Sequence, residues 1–286
     1  MYNKLNAAEE RVIVNKGTEA PFSGEFYENN RVGKYYCKRC DAELFSTADQ
    51  FESGCGWPSF DDEFSNSVKK VKDADGRRTE ILCANCDGHL GHIFHGEGFT
   101  TKDARYCVNS ISLKFIEFKK TSHDEIAYFA GGCFWGVEYF FKKSEGVKTV
   151  RSGYMGGDIA NPTYEQICSK KTGHVETVEV VFDATKTSFE NLCKLFFEIH
   201  DPSQKNGQGP DIGEQYLSMI FVVNDAQKSI AEKLITQLEA NGLKVVTQIK
   251  KAGDGVEKFW PAELYHQNYY FRNGKQPYCH KYTKRF

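Results

Sequence analysis

The chain has 286 residues, room for two ordinary domains with a core each. Acidic and basic side chains nearly cancel, leaving a formal charge of −2, so no general electrostatic attraction to nucleic acid or an anionic membrane is expected. The opening "MYNKLNAAEERVIV" has no apolar run of signal-peptide length and no stretch approaches a membrane span, so a soluble cytoplasmic protein is expected.

In chain order, the residues from about Tyr35 to Phe118 form short extended runs such as "VKKVKDADG" and "TEILC", broken by Gly, Asp and Asn. That texture predicts a small antiparallel all-β domain over residues 1–120. The polar segment "KKTSHDE", Lys119 to Glu125, marks the boundary. Strands and helices then alternate. "EIAYFA" reads as a strand and "CFWGVEYFFKKSEG" as a helix; "VETVEVVF" alternates like a half-buried strand. "SFENLCKLFFEIH" places Leu192, Leu195, Phe196 and Ile199 on one helical face, with Ser188 as N-cap and Cys193 beside the core. "YLSMIFVV" reads as a strand, "DAQKSIAEKLITQLEANG" as a helix ending at Gly242, and "LKVVTQI" as a strand. The expected fold for residues 121–286 is an α+β sandwich with a mixed sheet and a ferredoxin-like core.

The ten cysteines suit a reducing compartment, divided among metal ligands, redox residues and buried thiols. Cys37-Lys-Arg-Cys40 and Cys83-Ala-Asn-Cys86 are two C-x-x-C pairs in one small β domain. Together they supply four thiolates for a closed tetrahedral zinc site, one ion per chain, whose full shell makes it structural. Two redox pairs would share this spacing. A nucleic-acid-binding zinc ribbon is disfavoured by the 42 residues between the pairs and the lack of a basic face. No organic cofactor is indicated.

"SGCGWPSF", "GHLGHIF" and "RYCVNS" carry the first candidate site. Cys107 is the candidate nucleophile. Arg105 and Asn109, each two residues away, share its face of a strand, and Arg105 favours a thiolate. His89 and His92 offer hydrogen bonds and a proton donor, Cys55 a second thiol, and Trp57 an apolar wall. Each of these has an ordinary structural alternative when taken singly. "AGGCFWGVE" carries the second site. Its glycines allow a tight strand-to-helix turn. Cys133 then sits near a helix N-terminus, where amides and the helix dipole lower a thiol's pKa, between the apolar walls Phe134 and Trp135.

The combination "CxxC…SGCGWPSF…CxNCxxHLGH…RYCVNS" resembles the B-type methionine sulfoxide reductase family over residues 5 to 118. "GGCFWG", "NPTYEQICSKKTGHVETVEV", "HDPSQKNGQGPDIGEQY" and "YHQNYYFRNGKQPYC" resemble the A-type family from Glu125 to Cys279. The resemblance implies reduction of methionine sulfoxide, free or in oxidised proteins, with the R epimer at the N-terminal site and the S epimer at the C-terminal site. It implies attack by Cys107, a methyl pocket at Trp57, oxygen binding by His89, His92 and Asn109, and resolution by Cys55. For the second site it implies attack by Cys133, protonation by Glu176 assisted by Tyr164 and Tyr216, support from Asp211, and recycling by Cys279. The sulfenic acid so formed condenses to a disulfide, and thioredoxin is the expected reductant. Many A-type members carry two late cysteines; this sequence has seven residues after Cys279, so direct condensation of Cys133 with Cys279 on a mobile tail is expected. Cys168 is expected to be structural. Two rivals remain: a redox sensor that binds through the zinc domain, and a thiol hydrolase using a general-base histidine such as His174.

Overall fold

The computed structural model describes residues 2–73, 76–253 and 255–286. It divides into two compact units, Met1–Lys119 and Lys120–Phe286.

The N-terminal unit begins with a turn of helix, Ala7–Glu9, closed by a capping box between Asn6 and Glu9. It then contains two antiparallel sheets. The smaller has the order Glu43–Ser46, Gly33–Cys37, Leu113–Glu117. The larger has the order Gln50–Phe51, Ser59–Phe60, Ala104–Val108, His89–His95, Thr79–Cys83, Val68–Lys72. Phe45 and Phe60 stack at 4.5 Å in the core, which Tyr35, Ile81, Leu90 and Val108 complete. The buried Tyr35 hydroxyl donates to Gln50 Oε1 and accepts from Asn29 Nδ2, both at 2.6 Å, so its burial leaves no polar group unpaired.

The C-terminal unit is built on a six-stranded mixed sheet. Its order is Gln248–Lys251, Ser218–Val222, Asp124–Gly131, Val175–Asp183, Val147–Met155, Trp260–Pro261. Ser218–Val222 and Gln248–Lys251 pair in parallel; the other pairs are antiparallel. With the helices Phe134–Lys142 and Phe189–Ile199, the four central strands follow the β-α-β-β-α-β order of a ferredoxin-like core. Phe129 stacks on Phe141 at 4.9 Å and on Phe196 at 5.1 Å, welding sheet to helices. Ser188 caps its helix by accepting from the Asn191 amide, and Cys193 is fully buried. The helix Asp225–Ala240 is capped by Asn224 and is followed by Gly242 at φ +86°.

Several elements depart from the sequence reading. Val175–Asp183 is buried almost throughout, not half-buried. Val178, Val180 and Phe182 meet the helices, and a second apolar cluster including Met155, Met219 and Phe221 covers other sheet residues. The strand Gln248–Lys251 starts later than "LKVVTQI" suggests. The strand Val147–Met155, alongside Val175–Asp183, was not singled out in the sequence.

Candidate active sites

The two C-x-x-C pairs fold as matching turns. Each follows a strand, Gly33–Cys37 or Thr79–Cys83. Each is closed by the amide of a left-handed aspartate: Asp41 N–H donates to Cys37 O and Asp87 N–H to Cys83 O, both at 2.9 Å. Cys37 and Cys86 sulfurs lie 3.6 Å apart, as do those of Cys40 and Cys83, and all four ligand atoms fall within 4.8 Å of one another. Zinc–sulfur bonds of about 2.3 Å in a tetrahedron put sulfurs about 3.8 Å apart, so the cluster fits a zinc ion.

Cys107 lies on Ala104–Val108, paired with His92 on one side and Ser59 on the other. Cys55 comes from the loop between Gln50–Phe51 and Ser59–Phe60, where Gly54 and Gly56 take φ of +70° and +93°. The loop brings the Cys55 sulfur to 3.7 Å from that of Cys107. The pair is unequal, its hydrogen bond pulling Cys55 down to about 4. Its hydrogen bond holds Cys107 up, with burial acting the same way, while charge and hydrogen bonding from Arg105 pull it down. The guanidinium is itself fixed by two bonds to Glu97, at 2.7 and 2.9 Å, and by the Phe94 ring.

The histidines differ in what they offer. His89 is buried with Nδ1 2.7 Å from Glu80 Oε1, so Nδ1 carries the proton and Nε2 is a bare, unpartnered nitrogen. Burial lowers its pKa, with Glu80 opposing, so the neutral ring presents a lone pair where the sequence reading expected a proton donor. His92 Nε2 donates to Asp73 at 2.9 Å, and the two rings lie 5.7 Å apart. Asn109 ties backbone together: Nδ2 donates to Leu90 O and Oδ1 accepts from Glu19 N–H. The Trp57 indole donates to Glu19 O. Glu19 therefore braces Trp57 and Asn109, while Glu80 and Glu97 brace His89 and Arg105. These three acids lie far in sequence from the motifs or carry no motif of their own, and the sequence reading missed them.

In the second unit, the strand Asp124–Gly131 turns through Gly132 at φ +94° into the helix Phe134–Lys142, with Cys133 as its N-cap. A Cβ on Gly132 would lie 2.3 Å from the Gln208 side chain, and one on Gly131 would lie 2.8 Å from Phe196. The expected pKa depression is overturned. The Trp135 amide does hydrogen-bond to Cys133, but the hydrogen bond with Cys279 and burial outweigh it and push the thiol well up. The helix terminus acts, yet Cys133 is only 6% exposed and sits beside another thiol, an environment that disfavours its charged form.

Glu176 is 2% exposed at the start of the central strand, on the face of Val178 and Val180. Its Oε2 accepts from Phe134 N–H at 3.0 Å. Burial, then the neighbouring Cys133, push its carboxyl well above the usual range. Burial raises the Tyr164 and Tyr216 hydroxyls, and the nearby Glu176 carboxyl acts the same way. Phe134 is buried among Tyr154, His266 and Trp135. Trp135 stacks on Tyr269 at 3.6 Å and donates to His266 Nδ1 at 3.1 Å.

Cys279 is buried, and its sulfur, that of Cys133 and an Asp211 carboxylate oxygen lie within 4.8 Å of one another. Two thiols and a carboxylate could also grip a soft metal, but Asp211 already accepts the Tyr278 hydroxyl at 3.0 and 3.1 Å. Cys168 is exposed and adjoins the Tyr164 hydroxyl. His174 is held by backbone at both nitrogens, accepting from Gly157 N–H and donating to Ile159 O, so it serves no thiol as base. Tyr278, His266 and His280 were not singled out in the sequence.

Among the described residues no helix is long and apolar enough to cross a membrane. The family model for Peptide methionine sulfoxide reductase matches residues 125–286, and that for the SelR domain matches residues 5–117. Peptide methionine sulfoxide reductase MsrA 1 of Rhodopirellula baltica is 48% identical over 167 residues, covering 58% of this chain and 85% of that protein. Methionine sulfoxide reductase A of Corynebacterium diphtheriae superposes with a TM-score of 0.51 at 33% identity, covering 57% of this chain and 82% of that one. Mxr1 from Saccharomyces cerevisiae in reduced form does so with a TM-score of 0.53 at 29% identity, covering 59% and 96%. A free thiol pair in each unit and matches over both units lead to one reading: the chain belongs to the peptide methionine sulfoxide reductase family, carries a SelR domain ahead of that domain, and reduces both the S and the R epimers of methionine sulfoxide.

Proposed function

We propose that each unit serves one epimer, S at Cys133 and R at Cys107, by oxygen transfer to cysteine followed by an intramolecular disulfide. The observation that carries this is a separate close thiol pair in each compact unit, Cys133 with Cys279 and Cys107 with Cys55. In the C-terminal site, Cys133 attacks the sulfoxide sulfur while Glu176 gives its proton to the oxygen and regains one from the Cys133 thiol. Methionine leaves and Cys133 carries the oxygen as sulfenic acid. Both groups have raised pKa values, Cys133 through its hydrogen bond with Cys279 and burial, Glu176 through burial and Cys133, which suits a relay that moves a proton without net ionisation. Tyr164 and Tyr216 assist at the oxygen, Phe134 and Trp135 form the apolar wall, and Asp211 holds the tail through Tyr278.

In the N-terminal site Cys107 attacks with Arg105 favouring its thiolate, Trp57 walls the methyl group, His89, His92 and Asn109 surround the oxygen, and Cys55 resolves. The two epimers present oxygen and methyl in mirrored positions, so two unrelated pockets serve them better than one. A zinc ion held by Cys37, Cys40, Cys83 and Cys86 stabilises this unit. A dithiol donor of the thioredoxin type reduces both disulfides. The setting is repair of oxidised proteins in the cytoplasm.

The test is turnover of each pure epimer by the full chain with dithiothreitol. Cys133→Ser should abolish S-epimer reduction alone and Cys107→Ser R-epimer reduction alone. Loss of both activities from either change in a folded protein would refute the division.

A further inference from the structure

Resting on the recycling role proposed for Cys279, we infer that His280 is the base that activates this thiol. Three observations carry the inference. First, the Cys279 sulfur sits 3.0 Å from His280 Nδ1. Second, His280 Nε2 lies 2.7 Å from the Gly131 carbonyl oxygen. A carbonyl only accepts, so Nε2 carries the ring proton and Nδ1 holds the lone pair aimed at the thiol. Third, the fold reserves space for this ring. It is 4% exposed, and a Cβ on Gly136 would lie 2.2 Å from its Nδ1. The ring thus bridges the strand end that leads into Cys133 and the tail that carries Cys279.

The step balances as follows. As the Cys279 sulfur approaches the Cys133 sulfenic acid, its proton passes to His280 Nδ1. The S–S bond forms, the S–O bond of Cys133 breaks, and the departing hydroxide takes the proton from the imidazolium. Water leaves and the imidazole ends neutral. Cys279 supplies the two electrons that reduce the sulfenic acid, so no further reductant enters.

The ionisable groups facing His280 are Cys279 beside it, Asp211 from the short ladder Gly207–Gln208/Asp211–Ile212, and His200 at a helix end, with Cys133 next to Cys279. Burial dominates among them and pushes the imidazole down to about 4. The lone pair is therefore available throughout the neutral range. The base needs to hold the proton only while the S–O bond breaks.

Without this acceptor, the Cys279 proton has no base in contact with it as the S–S bond forms. A positioned general base contributes about 10²–10⁴ in rate. The experiment is a single turnover of the full chain with an S-epimer methionine sulfoxide peptide, quenched with acid, from pH 6 to 8. Methionine release and Cys133–Cys279 disulfide are both followed. His280→Gln can keep the bond to Gly131 O without a nitrogen lone pair at Nδ1. His280→Asn places an amide oxygen there that can accept a hydrogen bond but cannot take a proton.

Wild type should form the disulfide at a rate nearly independent of pH. In both variants the ratio of disulfide formation to methionine release should fall on the order of 100-fold at pH 6.5 and recover as rising hydroxide takes over the proton. Sulfenic acid, trapped by dimedone, should accumulate. A ratio in both variants as high and as flat as wild type overturns the base, as does rescue by His280→Asn, which would show simple tethering. Absence of any Cys133–Cys279 disulfide in wild type would instead overturn the recycling route on which the inference rests.

Discussion

Glu176→Gln is the sharpest test of the C-terminal mechanism. The carboxyl is buried, and among its neighbours only the Phe134 amide favours ionisation; burial, Cys133 and Asp211 all oppose it. Glutamine has the same shape and can accept the same Phe134 amide at 3.0 Å, so packing should survive. What it lacks is a transferable proton. A positioned general acid contributes about 10²–10⁴ in rate, or about 2.7–5.4 kcal/mol of transition-state stabilisation, and S-epimer kcat/KM should fall by that factor. R-epimer turnover should not change.

The raised pKa also fixes the pH behaviour. Above the ordinary value of 4.5 and below its folded pKa, Glu176 holds its proton in the folded state and loses it on unfolding. The stability it contributes is therefore complete below 4.5 and declines as pH rises towards and through the folded pKa. Glu176→Gln removes that decline, so its melting temperature should overtake the wild-type value as pH rises. Steady-state kinetics with each epimer and thermal melts across pH measure both effects. S-epimer kcat/KM within about threefold of wild type would refute the proton relay.

Zinc analysis of purified protein should find about one ion per chain, and Cys40→Ser should unfold the N-terminal unit first. A four-thiolate site contributes on the order of 10 kcal/mol to folding of a small domain, so R-epimer activity should be lost while S-epimer activity persists. Cys279→Ser should lose most thioredoxin-driven S-epimer turnover yet release one methionine per site, with dithiothreitol restoring part of the cycle; Cys55→Ser should do the same for the R epimer. Mass spectrometry of the oxidised wild type distinguishes Cys133–Cys279 from Cys133–Cys168, the bond that would make exposed Cys168 the resolving thiol. Gly132→Ala should cost at least about 1–2 kcal/mol from its positive φ alone, with the Gln208 contact adding to it, as read by denaturant unfolding.

Local chemistry was legible in the sequence. A C-x-x-C pair specifies its own turn, and two pairs announce a four-sulfur cluster before any fold is known. The run "AGGCFWG" announced a strand-to-helix turn because glycine is needed where φ is +94° and neighbours crowd the backbone. Helix caps such as Ser188 act over three residues and were equally readable.

What the sequence could not decide was solvation and long-range pairing. Cys133 does sit at a helix N-terminus, but its ionisation is set by burial and by a thiol 146 positions later, which only the folded chain brings close. The strand Val175–Asp183 alternates like a surface strand and becomes central because apolar clusters cover it. Cys168 is short-range ambiguous and became exposed only when its helix was placed. Cys279 and His280 stand side by side in the sequence, yet only the closure of the tail against Gly131 fixes which imidazole nitrogen faces the sulfur. Residue types and short spacings set the chemical inventory; desolvation and tautomer depend on what the rest of the chain packs against it, and those were decided by the tertiary structure.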